Sequence, residues 1–126
     1  MFKGAHFLIY STDAEADRAF ARDVLGFRAV DAGDGWLILA LPPAELAFHP
    51  TDKPKSRRRT GQTFRGADMY LMCDDLQSVI AALKEKGVTC AAVTEARWGA
   101  STTIRLPGGS EIGIYQPRHV TAIAAR

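Results

Sequence analysis

The 126-residue sequence is poor in cysteine, in long apolar runs and in net charge, and each shortage argues against a class of protein. Two cysteines, Cys73 and Cys90, lack the spacing of a disulfide framework or a zinc site, so we expect both to be reduced. No apolar run approaches the roughly 18 residues of a membrane span, and the N-terminal stretch lacks a signal-peptide cleavage pattern. A net charge of +2 is too small to indicate nucleic-acid binding by itself. We therefore expect one cytoplasmic domain with no nucleic-acid or membrane partner.

Basic residues are concentrated in one segment, DKPKSRRRTGQTFR at 52–65. It holds Lys53, Lys55, Arg57, Arg58, Arg59 and Arg65 against the single acid Asp52. Because proline, serine, threonine and glycine interrupt it, the segment has no helix or strand period and is predicted as an exposed loop. Two interpretations stay open: a solvated linker, or a mobile basic flap over an anionic ligand.

The chain contains two copies of one pattern. In each copy a short apolar run meets an aspartate, continues as an amphipathic helix and stops at a glycine. The pairs are Asp13 with Gly26 and Asp74 with Gly87, and both spacings are 13 residues (26 − 13 and 87 − 74). Aspartate can cap the free amides of a first helical turn, and glycine tolerates the left-handed conformation that ends a helix. We predict one helix in each copy between these residues.

Three short extended runs follow each helix. They are 27–31, 36–41 and 45–50 in the first copy and 88–96, 100–106 and 111–117 in the second. Together with the apolar strand before each helix, they predict two β-α-β-β-β modules. Module 1 covers about 4–50, a basic linker 51–66, module 2 about 67–117 and a short tail 118–126.

Alternation along a strand assigns its side chains to two faces of a sheet. Alternation places His6, Leu8 and Tyr10 on the face opposite Phe7 and Ile9. If the helix covers Phe7 and Ile9, then His6 points to the open face, toward a cleft. By the same alternation, the cleft face of the second copy would carry Ala67, Met69, Leu71 and Cys73.

Paired modules with the signatures HFLIYSTD, RDVLGF and WGASTTIRLPGGSEIGIYQP resemble the vicinal oxygen chelate superfamily, from His6 to Pro117. That group includes glyoxalase I, extradiol dioxygenases and bleomycin-resistance proteins. The resemblance implies an α+β fold in which two tandem βαβββ modules form a curved mixed sheet or barrel-like cleft. It also implies that Phe48 and Tyr115 of the last strands face this cleft. One such fold hosts many functions, so the reaction does not follow from it.

In metal-dependent members of the superfamily, two first-strand and two last-strand positions supply histidine and glutamate ligands. The resemblance maps these positions onto His6, Ala67, Leu46 and Gly113. Three of these side chains have no donor atom, so we expect no metal cofactor. His6 is then interpreted as a polar contact in the cleft or as a histidine satisfied by a neighbour. Glu45 could become a ligand only if its strand slipped by one residue.

The inferred cleft is mostly apolar and aromatic with a few polar tips, which is typical of small-molecule pockets. Its predicted lining is His6, Tyr10, Phe48, Met69, Leu71, Trp98, Thr102 and Tyr115. Trp98 either walls the cleft or packs elsewhere, and both alternatives stay open.

Three functions are compatible with this pattern. The first is a metal-free binding protein similar to the bleomycin-resistance branch, which would hold a planar or aromatic small molecule. The second is a lyase, isomerase or dioxygenase with an atypical site for a divalent Zn, Fe, Mn or Ni ion. The third is a structural or interaction subunit that uses the basic segment. Metal content separates the first two, and deletion of 53–59 tests the third. We also expect a homodimer, since short two-module chains of this superfamily commonly pair and sheet edges otherwise stay exposed.

Overall fold

The computed structural model describes residues 6–48 and 67–123. They form an α+β fold with two helices and two sheets, which confirms the predicted fold class. The elements in chain order are α1 (Ala14–Asp23), β1 (Ala29–Asp31), β2 (Leu37–Leu39), β3 (Tyr70–Met72), α2 (Leu76–Glu85), β4 (Thr94–Ala96), β5 (Gly99–Arg105) and β6 (Glu111–Pro117). The basic segment and His49 lie outside the described residues.

The larger sheet has the strand order β3-β6-β5-β4 and contains the whole predicted β-α-β-β-β pattern of module 2. Strand β3 runs parallel to β6, whereas the β6–β5 and β5–β4 pairs are antiparallel, so the sheet is mixed. Strands β1 and β2 form a separate antiparallel pair in the first half. The observed bounds of β6 are those predicted from the sequence.

Both helices end as the sequence indicates, but one begins a residue later than predicted. Asp13 caps α1 by accepting a hydrogen bond from the Ala16 amide at 3.1 Å. The cap of α2 is Asp75 rather than Asp74, and its carboxylate accepts from the amide and the hydroxyl of Ser78 at 3.2 and 2.7 Å. After the helices, Gly26 and Gly87 adopt φ values of 77° and 80°, which suit glycine.

The hydrophobic core lies between the helices and one face of the larger sheet. Its buried members are Leu76, Leu83, Ala100, Ile104, Leu106, Ile112 and Ile114, and Phe20, Val24 and Leu25 of the first half pack against them. The cross-strand pairs Thr102–Ile114 and Ile104–Ile112 place these side chains on the helix side of the sheet. We call the opposite side the open face.

The first half differs from the predicted module at its first and last strands. Residues 6–10 and 45–48 have no strand assignment in the structure. Instead of entering a ladder, the chain after His6 docks on the β5–β6 turn. There Thr12 donates its amide to the Gly108 carbonyl at 3.1 Å, and Ser110 donates its hydroxyl to the Tyr10 carbonyl at 2.9 Å.

Within the described ranges, neither helix is long and apolar enough to cross a bilayer.

Candidate functional site

An aromatic cluster occupies one end of the open face, and Tyr115 of β6 is at its centre. The ring centroids of Tyr70 and Trp98 lie 6.1 and 5.7 Å from that of Tyr115, both at steep interplanar angles. The His119 ring lies 5.7 Å away on a more nearly parallel plane, tilted by 31°. These distances are those of favourable aromatic contacts. We call Tyr70, Trp98, Tyr115 and His119 the aromatic cluster.

Two glycines leave room for the tyrosine rings above the sheet. The Tyr70 ring covers its register partner Gly113, and the Tyr115 ring covers Gly99, so that a Cβ at either glycine would collide with the ring. The two rings therefore shield the backbone of this part of the open face. They meet edge to face, at 68° to one another, and we call this pair of rings the platform.

Hydrogen bonds fix Trp98 beside this platform. The Tyr115 hydroxyl and the Arg118 amide both donate to the Trp98 carbonyl, at 3.0 and 2.9 Å. The Arg118 guanidinium also donates to the Ala96 carbonyl at 3.2 Å and pairs with Glu95 at 2.8 Å. The chain after β6 is thereby held against the start of β5. This places Trp98 at the cluster, with half of its surface, 50%, still exposed.

The side chains of strand β3 lie on the opposite faces of the sheet from those predicted. Its register pairs Tyr70 with Gly113 and Met72 with Tyr115, so these two side chains are on the open face. Met69, Leu71 and Cys73 instead pack against the core on the helix side. The predicted placement of Met69 and Leu71 in the cleft is therefore wrong by one residue. The four residues Met69 to Met72 are all large and apolar. The sequence therefore shows no alternation of polar and apolar residues that would indicate which side chains lie on which face of the sheet.

Thr102 is also on the helix side rather than at the edge of a cleft. It is only 3% exposed, and its hydroxyl donates to the Ala91 carbonyl at 2.6 Å. A threonine that satisfies a backbone acceptor in this way is buried at little cost. This corrects the predicted position of Thr102.

The other predicted residues are not part of the aromatic cluster. Tyr10 lies at the β5–β6 turn, next to Ser110, which is roughly 17 Å along β6 from Tyr115 at about 3.4 Å per residue. His6 and Phe48 are exposed near the ends of the first described range. Of the eight predicted lining residues, Trp98 and Tyr115 are the two that belong to the aromatic cluster.

Sequence reasoning missed Tyr70 and His119. Tyr70 was missed because of the parity error in β3. His119 follows the last predicted strand by two residues, in a tail to which no role was assigned. Its proximity to Pro117, at the end of a strand whose Tyr115 was already placed in the cleft, is the signal that could have identified it.

The cluster is partly withdrawn from water, and this changes its acid–base behaviour. Burial raises the pKa of Tyr115, and the nearby Glu45 carboxylate raises it further. Tyr115 is therefore a neutral hydrogen-bond donor at physiological pH. Burial likewise raises the pKa of both thiols, Cys73 and Cys90, which makes them weak nucleophiles.

The residues at the superfamily's ligand positions do not fit a metal ion. Ala67, Leu46 and Gly113 have no donor atoms, and the Tyr70 ring occupies the space beside Gly113 where a glutamate side chain would begin. Glu45 is engaged elsewhere, since its Oε1 accepts a hydrogen bond from the Ala122 amide at 2.7 Å. In the described ranges 6–48 and 67–123, no group of three or more His, Cys, Asp or Glu residues is arranged so that it could hold a metal ion.

Comparison with known proteins places the fold in a family. The family model of the Glyoxalase/Bleomycin resistance protein/Dioxygenase superfamily matches residues 3–114. No curated protein matches the sequence significantly.

Solved structures similar to this chain include TnmS3, an antibiotic binding protein from Streptomyces sp. CB03234. It is 26% identical with a TM-score of 0.63, and the match covers 93% of this chain and 98% of that one. A glyoxalase/bleomycin resistance protein from the same organism is also 26% identical, with a TM-score of 0.56 and coverage of 86% and 95%. Lactoylglutathione lyase from Agrobacterium tumefaciens, at 17% identity, TM-score 0.62 and coverage of 90% and 92%, shows a likeness of fold alone.

Proposed function

The chain belongs to the Glyoxalase/Bleomycin resistance protein/Dioxygenase superfamily, and on that premise we propose that it binds a flat aromatic small molecule without a metal ion. The ligand lies on the open face of the larger sheet and stacks on the aromatic cluster. The single observation that carries this proposal is the platform of Tyr70 and Tyr115, each lying over a glycine, with Trp98 at its edge.

Such a platform suits a planar ligand for a physical reason. Tyrosine and tryptophan offer a large contact area with few rotatable bonds, so stacking a ligand on them costs little conformational entropy. Tyr70 and Trp98 are 48% and 50% exposed, which leaves ring surface available for contact. The 26% identity to an antibiotic binding protein over nearly the full length of both chains also supports a binding role.

The donor chemistry described above supports a metal-independent mode of binding. We expect the purified protein to contain well under one equivalent of zinc, iron, manganese or nickel. Elemental analysis tests this expectation. About one metal ion per chain, lost on His6→Ala, would contradict it.

Fluorescence quenching tests the proposed platform directly. The chain has two tryptophans, and Trp36 stacks with Arg18 at 4.3 Å in the first half, so Trp36→Phe leaves Trp98 as the reporter. We expect acridine, a flat neutral three-ring compound, to quench Trp98 in a saturable manner. Tyr115→Ala should weaken binding by roughly 1–2 kcal/mol, the scale of one lost aromatic contact with its buried area.

Tyr10→Ala is the matched control, because Tyr10 is exposed beside the turn at the far end of β6. This substitution should leave the binding of acridine unchanged. Absence of saturable quenching in a folded protein, or equal effects of the two substitutions, would refute the proposed site.

We further propose that the protein is a homodimer. The exposed apolar residues of the first half support this assembly, which is tested below.

A further inference from the structure

Glu45 brings a negative charge from the first half of the chain to the aromatic cluster. Its Oε1 accepts a hydrogen bond from the Ala122 amide at 2.7 Å, only three residues beyond His119, whose ring contacts Tyr115. The effect of Glu45 on the ionisation of Tyr115 agrees with this placement. The carboxylate is therefore a neighbour of the platform even though the two are far apart in sequence.

The charges around the cluster differ in how they are compensated. The positive Arg118 pairs with Glu95 at 2.8 Å, so those two charges offset each other. In the part of the chain that the structure describes, the hydrogen-bond partner of Glu45 is, in contrast, a neutral backbone amide. A carboxylate bound to an amide keeps its full negative charge, which acts on whatever occupies the adjacent platform.

Aromatic faces add to this preference for positive charge. The faces of tyrosine and tryptophan rings are electron-rich and attract a cation that lies within about 6 Å of the ring centroid. Tyr70 and Trp98 flank Tyr115 and are about half exposed, so a ligand on the platform can reach their rings. Several such rings beside one carboxylate form a site suited to ammonium or iminium groups.

We propose that Glu45 and the aromatic cluster form a subsite for a cationic group, so that this protein selects flat aromatic compounds that carry a protonated or quaternary nitrogen. This inference rests on the proposed binding function and specifies the chemical class of its ligand. Compounds of the same shape that carry a carboxylate or a sulfonate are disfavoured, because Glu45 repels them.

Three acridines of similar shape and different charge test the inference. At pH 7.5, 9-aminoacridine is a cation, acridine is neutral and acridine-9-carboxylate is an anion. Calorimetric titration of the intact protein should show that the cation binds about fivefold or more tightly than the neutral compound, the scale of a partly exposed cation–π contact. The anion should bind most weakly. Because charge screening weakens such attraction, added salt should reduce the advantage of the cation.

Glu45→Gln assigns the preference to this carboxylate. Glutamine keeps an oxygen that can accept from the Ala122 amide, so the variant removes the charge with little change in local structure. It should abolish the advantage of 9-aminoacridine and leave the affinity for acridine unchanged. Glu111→Gln, which makes the same change of charge at the other end of β6, is the matched control and should leave the preference intact.

The outcomes separate the two proposals. If acridine binds as tightly as its cationic relative, or if Glu45→Gln leaves the preference in place, the cationic subsite is overturned while the stacking platform survives. If none of the three compounds binds the folded protein, the platform itself is refuted, and the subsite falls with it.

Discussion

The ring of Tyr70 covers Gly113, its register partner on the neighbouring strand β6. This contact joins the first and last strands of module 2 on the open face. The Tyr70 ring also fills the space that the side chain of a metal-binding glutamate would need at position 113. The same residue pair thus accounts for a feature of the platform and for the poor fit to a metal.

Gly113→Ala should therefore destabilise the fold, because the added Cβ collides with the Tyr70 ring. We expect a loss of about 1–3 kcal/mol in the free energy of unfolding, as is usual for overpacking. Urea denaturation measures this change. In a Tyr70→Ala background the same substitution should cost much less, since the obstructing ring is gone. Equal costs in the two backgrounds would show that the rings do not meet as described.

A hydrogen bond from the β5–β6 turn to Asp17 connects this turn to helix α1. The Asp17 carboxylate accepts a hydrogen bond from the Gly108 amide at 2.7 Å, and its other oxygen is buried with no partner among the described residues. Asp17→Ala leaves the Gly108 amide unsatisfied and should lower the free energy of unfolding by about 1–3 kcal/mol. Asp17→Asn retains the acceptor and should cost less. Glu15→Ala, on the exposed side of the first turn, serves as the control. If Asp17→Ala left the free energy of unfolding unchanged, the hydrogen bond between Asp17 and Gly108 would not stabilise the fold.

The sequence predicts those parts of the fold that local residue types mark. Helix ends carry chemistry of their own, so Asp13, Gly26 and Gly87 could be identified without a structure. Strand β6 could be bounded because PGGS precedes it and Pro117 ends it. Strand phase is different, because it is visible only where polar and apolar residues alternate. The run from Met69 to Met72 is apolar throughout, so its two faces could not be told apart.

The candidate site depends on this phase and on contacts distant in sequence. The superfamily signatures predict Tyr115 for the cleft and leave Trp98 open between the cleft and packing elsewhere. The approach of Glu45 to the cluster depends on a hydrogen bond to Ala122, 77 residues away, for which no local pattern exists. His119 lies in a tail with neither helix nor strand period. These are the residues that the sequence alone did not supply.

Acid titration tests the assignment of Asp75 as the cap of α2. Hydrogen bonds from Ser78 lower the pKa of Asp75 below its ordinary value of 3.8. A carboxyl whose pKa is lowered by folding stabilises the fold above its ordinary pKa, and this contribution is lost as pH falls through the lowered value. The Tm of the wild-type protein should therefore fall below about pH 4.

Asp75→Asn can still cap the helix but does not titrate, so its Tm should fall less steeply over this range. Asp74→Asn changes the charge by the same amount one residue earlier and should keep the wild-type slope. Thermal melts followed by circular dichroism between pH 2 and pH 5 provide the measurement. If Asp74→Asn, instead of Asp75→Asn, reduced the dependence of Tm on pH, the cap of α2 would be Asp74, as predicted from the sequence.

The exposed apolar surface of the first half predicts the state of assembly. Leu8, Leu46 and Phe48 are 69%, 80% and 90% exposed. Within the described ranges, no further strand pairs with the outer edges of β1 and β2. Apolar surface of this extent is costly in water, and a second copy of the chain can cover it. We expect light scattering at about 100 μM to give twice the chain mass, at a concentration where a specific homodimer is well populated.

Leu8→Asp should weaken this association at least about tenfold, because burying a leucine is worth roughly 1.5–3 kcal/mol and a buried charge opposes it. Gln77→Asp, on an exposed part of α2, makes a similar change of charge and should leave the dimer intact. Circular dichroism confirms that both variants are folded. A monomeric wild-type protein at this concentration, or a dimer unaffected by Leu8→Asp, would mean that the exposed leucine is not part of an interface between copies.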